Sequence, residues 1–286
     1  MEKSKIISEK LEINVTNRCN LSCKGCSHLS PICIQHNFDT EKLCLSLNRL
    51  SDVFHCETVR LLGGEPFLSP NLQEIINIVR ESKICDSITI VSNGTLINDK
   101  HKDILCSVDV LEVSDHQTGI NIEYIHELTK GACKLVVLDF EAFREPYSEQ
   151  GTTNSALTDQ IYKTCLIANV WKCYNLEDGY FYKCPQAHTL KAIKTLSADG
   201  IDVLNTPDLK AALEKYITCK SPLSACKYCL GATGKIYSQK QVNRKEWRKE
   251  QDKPTEEMLD YQFLEKLKTK ANSNNHCVKS IISKEK

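Results

Sequence analysis

The stretch "VTNRCNLSCKGCSHLSP", Val15 to Pro31, places Cys19, Cys23 and Cys26 in one short loop with the spacing C-x3-C-x2-C. Four thiolates would close a metal site. Three thiolates on a cubic [4Fe–4S] cluster hold three irons and leave the fourth open to a small ligand. A structural zinc site needs four ligands. On these residues alone, a zinc knuckle completed by a distant ligand such as His28 stays open beside the cluster reading.

The loop directly follows "LEINV" (Leu11–Val15), which reads as a strand. Further strands are expected at "TVRLLGG" (Thr58–Gly64), "SITIVSNG" (Ser87–Gly94), "VDVLEVSDH" (Val108–His116) and "CKLVVLD" (Cys133–Asp139). These runs are mostly apolar on successive positions, as in parallel strands covered on both faces. Leu43, Leu47, Leu50 and Phe54 share one helical face, with Thr40 as the expected N-cap. Pro70 and Asn71 open the next helix, whose apolar stripe is Leu72, Ile75, Ile76 and Val79. Repeated βα units predict an α/β fold with a parallel sheet or barrel and right-handed crossovers. In a βα barrel the reactive rim lies at the strand C-termini. The cysteine loop, "GGEP" (Gly63–Pro66), "SNG" (Ser92–Gly94), "SDH" (Ser114–His116) and Asp139 all fall on that rim. Each alone reads equally well as an ordinary turn or strand exit.

Lys plus Arg is 37 and Asp plus Glu is 37, so the net charge is zero over 286 residues. No global field draws the chain to nucleic acid or to an acidic membrane. No apolar run approaches the roughly 20 residues of a membrane helix. The opening "MEKSKIISEKLEINV" lacks a signal-peptide core. The expected setting is cytoplasmic, with no membrane and no nucleic-acid partner. There, the sixteen cysteines suggest metal or redox chemistry where they cluster. Scattered ones, Cys44, Cys56, Cys85, Cys106 and Cys133, read as small buried apolar residues. Cys33, Cys219 and Cys277 have no assigned role. His28, His36, His116 and His188 read as ordinary polar residues, although His116 stands on the expected rim.

From about Gly151 the pattern changes. Residues 165–229 are rich in Cys, Gly and Tyr and read as short strands and turns. Thr206–Ile217 is expected to be a helix started by Thr206 or Asp208. Thr255–Ala271 reads as one charged amphipathic helix, and Asn272–Asn275 begins a frayed end.

"CNLSCKGC" followed about forty residues later by "GGEP" resembles the radical S-adenosylmethionine (SAM) superfamily, over roughly Lys10 to Asp139. The resemblance implies a partial (β/α)6 TIM-like barrel. It implies that Cys19, Cys23 and Cys26 ligate a [4Fe–4S] cluster whose open iron chelates the amino and carboxylate groups of SAM. Gly63, Gly64, Glu65 and Pro66 match the motif that receives the SAM amino group, glycine allowing close backbone approach and the carboxylate answering the ammonium. Ser92, Asn93, Ser114 and Asp115 are the candidates for the SAM ribose and carboxylate. Gly25 departs from the family, which often has an aromatic residue just before the third cysteine.

A second cysteine group, Cys165, Cys184 and "CKYC" (Cys226–Cys229), resembles the twitch subdomain of such enzymes, a short form of the SPASM domain. That implies one auxiliary [4Fe–4S] cluster on Cys165, Cys184, Cys226 and Cys229, with Gly179 turning a hairpin that brings the first two together. Cys173 competes with Cys165 for the first position. A structural zinc ribbon has similar arithmetic. The expected division is a barrel core over 1–150, a twitch-like subdomain over 151–240, and a charged helix and tail over 241–286.

The resemblance further implies reductive cleavage of SAM to a 5′-deoxyadenosyl radical that abstracts hydrogen from a substrate. A one-electron donor such as flavodoxin or ferredoxin is the implied partner. The auxiliary cluster is expected to accept the substrate radical's electron. The first strand starts near Leu11, which leaves no room for the peptide-binding domain of peptide-modifying relatives. The substrate is therefore expected to be a carbohydrate-like small molecule, oxidised or, with a thiol donor, epimerised. Peptide maturation with a separate recognition protein is the enzyme alternative, and a zinc-binding module the non-enzyme one. No catalytic side chain is assigned.

Overall fold

The computed structural model describes residues 4–33, 38–197 and 199–271. His36, Cys277 and Asn272–Asn275 lie outside the described residues. Strands β1 (Ile6–Thr16), β2 (Phe54–Gly63), β3 (Cys85–Ser92), β4 (Val110–Asp115) and β5 (Lys134–Asp139) run parallel and in chain order. Helices α1 (Thr40–Ser51), α2 (Leu72–Ser82), α3 (Lys102–Cys106) and α4 (Ile122–Thr129) connect them.

Side chains alternate across each strand. Leu11, Ile13, Val59, Leu61, Ile88, Ile90, Leu111 and Val113 pack with Leu43, Leu47, Leu50, Ile75, Ile76 and Val79 in the main core. Burying each such side chain contributes about 1.5–3 kcal/mol. The alternate positions carry Glu12, Arg60, Glu112 and Ser114, which face a cavity. The expected apolar cover on both faces is thereby corrected, since one face turns to the helices and the other to a polar hollow.

Two local expectations also change. Asp39, not Thr40, caps α1: its side chain accepts from the Lys42 N–H at 2.9 Å. Phe54 does not extend that helix but begins β2.

After β5, β6 (Ala142–Arg144) leaves the sheet. Helices α5 (Ser155–Lys163) and α6 (Leu166–Asn169) follow, then β7 (Asn175–Glu177), β8 (Tyr180–Tyr182), α7 (Pro185–Lys194), β9 (Ile201–Asp202) and α8 (Leu209–Thr218). The sheet order is β5-β4-β3-β2-β1-β7-β8-β9. The sixth barrel strand that the resemblance implies therefore does not follow β5. Instead β7 docks parallel to β1 on its other edge, with the Glu12 N–H donating to Tyr174 O at 2.7 Å. Asp178 and Gly179 both take positive φ, 51° and 81°, as a two-residue hairpin turn requires. The 165–229 region is more helical than expected, and α8 is capped by Asp208.

β10 (Ile236–Ser238) pairs antiparallel with β6. Then come α9 (Arg244–Gln251), α10 (Thr255–Met258) and α11 (Tyr261–Ala271). The single tail helix is thus two, parted at Leu259 and Asp260. The Asp260 N–H donates to Thr233 O at 2.8 Å, its Oδ1 caps Phe263 N and its Oδ2 pairs with Arg144.

The β1–β7 seam contains a buried carboxyl. Glu177 is 2 % exposed; Asn14 Nδ2 donates to it, and His188 Nδ1 lies 3.5 Å away. Burial raises its pKa from 4.5 to about 8 despite the Asn14 hydrogen bond. Between those values the folded chain keeps a proton that the unfolded chain has lost. Its contribution is therefore full below pH 4.5 and is lost as pH rises through about 8. Thermal melts at the two ends of that window should show the wild type losing stability with rising pH and Glu177→Gln losing less. Parallel losses would refute this account.

Candidate active site at the cysteine loop

The strand C-termini converge on a cavity of about 380 Å³. Cys19, Cys23 and Cys26 share its wall with Gly63, Gly64, Ser92, Asn93, Ser114 and His116. The cysteine loop and the "GGEP" loop are fastened to each other. Gly64 N–H donates to Thr16 O at 2.8 Å and Glu65 N–H to Arg18 O at 2.7 Å. A Cβ on Gly64 would stand 2.0 Å from Arg18 O, so only glycine allows this approach.

Glu65, Pro66 and Asp115 stand on the expected rim segments but outside the cavity lining. Glu65 is fully buried behind the wall, where it accepts from Ser92 Oγ at 2.8 Å, Asn93 N at 2.8 Å and Phe67 N at 3.2 Å. Burial raises its pKa and these donors oppose the rise. The carboxylate thereby joins two rim loops. Pro66 is buried at the start of the short 3-10 turn that Glu65 caps. Asp115 Oδ1 accepts from Gln117 N at 2.9 Å and closes its own loop.

Sequence reading missed the cavity's charged lining. Arg60 Nη2 pairs with Glu112 Oε1 at 2.5 Å, and Glu12, opposite Arg60 in the register, is 5 % exposed. Burial raises the Glu12 pKa, and Arg60 opposes that. The signal was one charge inside each apolar run: "LEINV", "TVRLLGG" and "VLEV". Phe140 and Phe143 were missed too; His116 lies against both, at 5.8 and 5.4 Å between centroids. His28 also lines the cavity with a buried, unpartnered Nε2, and burial with the nearby Arg60 lowers its pKa to about 4. The Cys33 thiol donates to His28 O at 3.3 Å.

A second, small void of about 20 Å³ is surrounded by Cys165, Cys184, Cys226 and Cys229. All four are free thiols whose pKa values burial raises, Cys229 to about 12. A metal bound there would have to displace their protons. Cys173 does not join them; it lines the larger cavity. Among the described residues, no group of three or more His, Cys, Asp or Glu is arranged to hold a single metal ion. Among the scattered cysteines, Cys56 is buried, but Cys106 is exposed, against expectation.

The cysteine loop is gripped from far along the chain. Lys24 N–H donates to Lys240 O at 2.9 Å and Val242 N–H to Ser22 O at 2.9 Å. Gln241 takes the Ser22 N–H on Oε1 at 2.6 Å and donates to Cys23 Sγ at 3.2 Å. Trp247 Nε1 donates to Cys23 O at 3.2 Å. A Cβ on Gly25 would stand 1.3 Å from the Tyr237 hydroxyl. Tyr237 of β10 thus fills the space that a side chain at position 25 would need.

Residues 13–149 match the family profile described as the Radical SAM superfamily. That segment is a radical SAM domain. Over 135 residues it is 28% identical to a GTP 3′,8-cyclase of Synechocystis sp., covering 45% of this chain and 39% of the relative. Over 142 residues it is 33% identical to a GTP 3′,8-cyclase of Campylobacter jejuni, covering 46% and 44%. The chain thus spans less than half the length of these relatives. Two solved structures are similar: BtrN in complex with AdoMet and 2-DOIA, at TM-score 0.48 and 16% identity over 80% of this chain and 94% of that one, and native anSMEcpe with bound AdoMet, at 0.47 and 14% over 94% and 100%. Membership of the radical SAM domain and the names of its relatives support an enzyme with radical chemistry. The domain implies a [4Fe–4S] cluster, SAM, a substrate and an electron donor. Among the described residues no helix is long and apolar enough to cross a membrane.

Proposed function

We propose that the chain is a radical SAM enzyme acting on a polar, carbohydrate-like small molecule. One observation carries the reading: Cys19, Cys23 and Cys26 share one cavity wall with Gly63, Gly64, Ser92 and Asn93. The three thiols would hold the cluster and leave one iron for SAM. A cluster held there would supply the electron for reductive cleavage of SAM to methionine and a hydrogen-abstracting 5′-deoxyadenosyl radical. The chain's residues would bind and orient. The Gly63–Gly64 backbone would receive the SAM amino group; Ser92, Asn93 and Ser114 would serve its polar ends; the His116–Phe140–Phe143 wall would offer a stacking face. Glu12, Arg60 and Glu112 offer donors and acceptors to a hydroxylated substrate. A second cluster on Cys165, Cys184, Cys226 and Cys229 forms a twitch-like unit, within the division 1–150, 151–240 and 241–286.

Oxidation is the preferred outcome. Epimerisation is the second reading, favoured by the cavity position of Cys173, which is 8 % exposed and hydrogen-bonded to Glu12.

The test is anaerobic reconstitution followed by reductant and SAM. Methionine and 5′-deoxyadenosine should form, slowly even without substrate. A chain that takes up zinc and never iron, or that holds iron yet leaves SAM intact, would refute the proposal. Once a substrate is found, product mass in deuterium oxide separates the outcomes: loss of two hydrogens for oxidation, one deuterium gained for epimerisation.

A further inference from the structure

We propose that β10 and the residues after it supply the hydrogen bonds that tune the cluster held by Cys19, Cys23 and Cys26, with Tyr237 and Gln239 as donors to its sulfurs and Gln241 fixing the Cys23 sulfur. The inference rests on the cluster assignment under Proposed function.

The Tyr237 hydroxyl is buried and has no partner in the protein. It lies against Gly25, between Cys23 and Cys26 in the chain, and both thiols act on it electrostatically. A buried hydroxyl without a partner is costly, so such groups usually face something that binds there. The Gln239 amide is also buried without a partner of good geometry, and it stands beside Cys23. Gln241 Nε2 already donates to Cys23 Sγ at 3.2 Å. Residues 237, 239 and 241 alternate toward one side of an extended segment, as β geometry requires. Lys24 lies 4.2 Å over the Tyr237 ring and pairs with Glu145 at 2.8 Å, which holds the ring in place. These are positioning residues, and none need touch the substrate.

A cluster gains negative charge on reduction, and donors to its sulfurs stabilise that charge and raise its potential. The experiment is a redox titration followed by electron paramagnetic resonance on anaerobically reconstituted full-length protein. The signal that SAM perturbs identifies the cluster in question. In Tyr237→Phe its midpoint potential should fall while iron content stays at the wild-type level, and adding Gln239→Leu should lower it further. The other cluster should keep its potential in both variants. An unmoved potential with full iron overturns the proposal. Iron loss from Tyr237→Phe overturns it too, because the hydroxyl would then hold the loop together rather than tune the cluster. A wild type that takes up no iron instead defeats the reading under Proposed function.

Discussion

If the chain holds the two proposed clusters, replacing Cys19, Cys23 and Cys26 together by Ala should remove all SAM cleavage and about half of the iron, from roughly eight to roughly four atoms per chain. The reason is spatial. The three thiols stand on the large cavity, and the four thiols Cys165, Cys184, Cys226 and Cys229 surround a separate void. Loss of one ligand set leaves the other whole. Iron analysis and 5′-deoxyadenosine measurement on the same preparation check both halves. Unchanged iron in the triple variant would mean that the thiol loop binds no cluster. Loss of all iron would mean that the two sets are not independent.

Trp247→Ala costs about 3–5 kcal/mol, the range for deleting a large buried aromatic side chain. Trp247 is 0 % exposed, stacks on Tyr147 at 6.0 Å and belongs to a core with Leu29, Ile32, Leu190 and Val242. Leu29 and Ile32 follow the third cysteine directly, so this core is the floor of the thiol loop. Trp247→Phe separates packing from polarity. It keeps an aromatic ring but removes one of the two donors to Cys23 O, leaving the Cys26 N–H at 3.2 Å, at a cost of about 0.5–1.5 kcal/mol. Denaturant unfolding should rank wild type above Phe and Phe above Ala, and iron retention under a chelator should follow the same order. Ala within ~1 kcal/mol of wild type would mean that the loop is held from elsewhere.

The five parallel strands were legible because β-branched runs alternate with helical stripes, and those signals are local. The thiol loop was legible from spacing alone. What escaped the sequence was long-range or fell against the average of its neighbours. Glu12, Arg60 and Glu112 are single charges in apolar runs, and averaging over each run hides the alternation that puts them inside. Glu65 sits in a recognisable motif, yet its side chain is taken by Ser92 and Asn93, about thirty residues on. The docking of β7 on β1 depends on a pairing between Glu12 and Asn175 that no local pattern announces. Spacing also leaves Cys165 and Cys173 side by side as alternatives, and only the fold shows that they line different cavities.

The bond from Trp247 to the Cys23 carbonyl spans 224 residues of chain. At roughly 5–20 residues per second, synthesis needs about 10–45 s to travel that distance. For that interval the thiol loop is out of the ribosome while the segment that closes over it does not yet exist. Iron delivered during synthesis meets three thiols open to water and oxidant. Iron delivered after release meets a loop already braced by Gln241 and Trp247. Truncation after Cys229 and before β10 therefore leaves every proposed cysteine ligand in place but removes Gln241 and Trp247, which brace the first three.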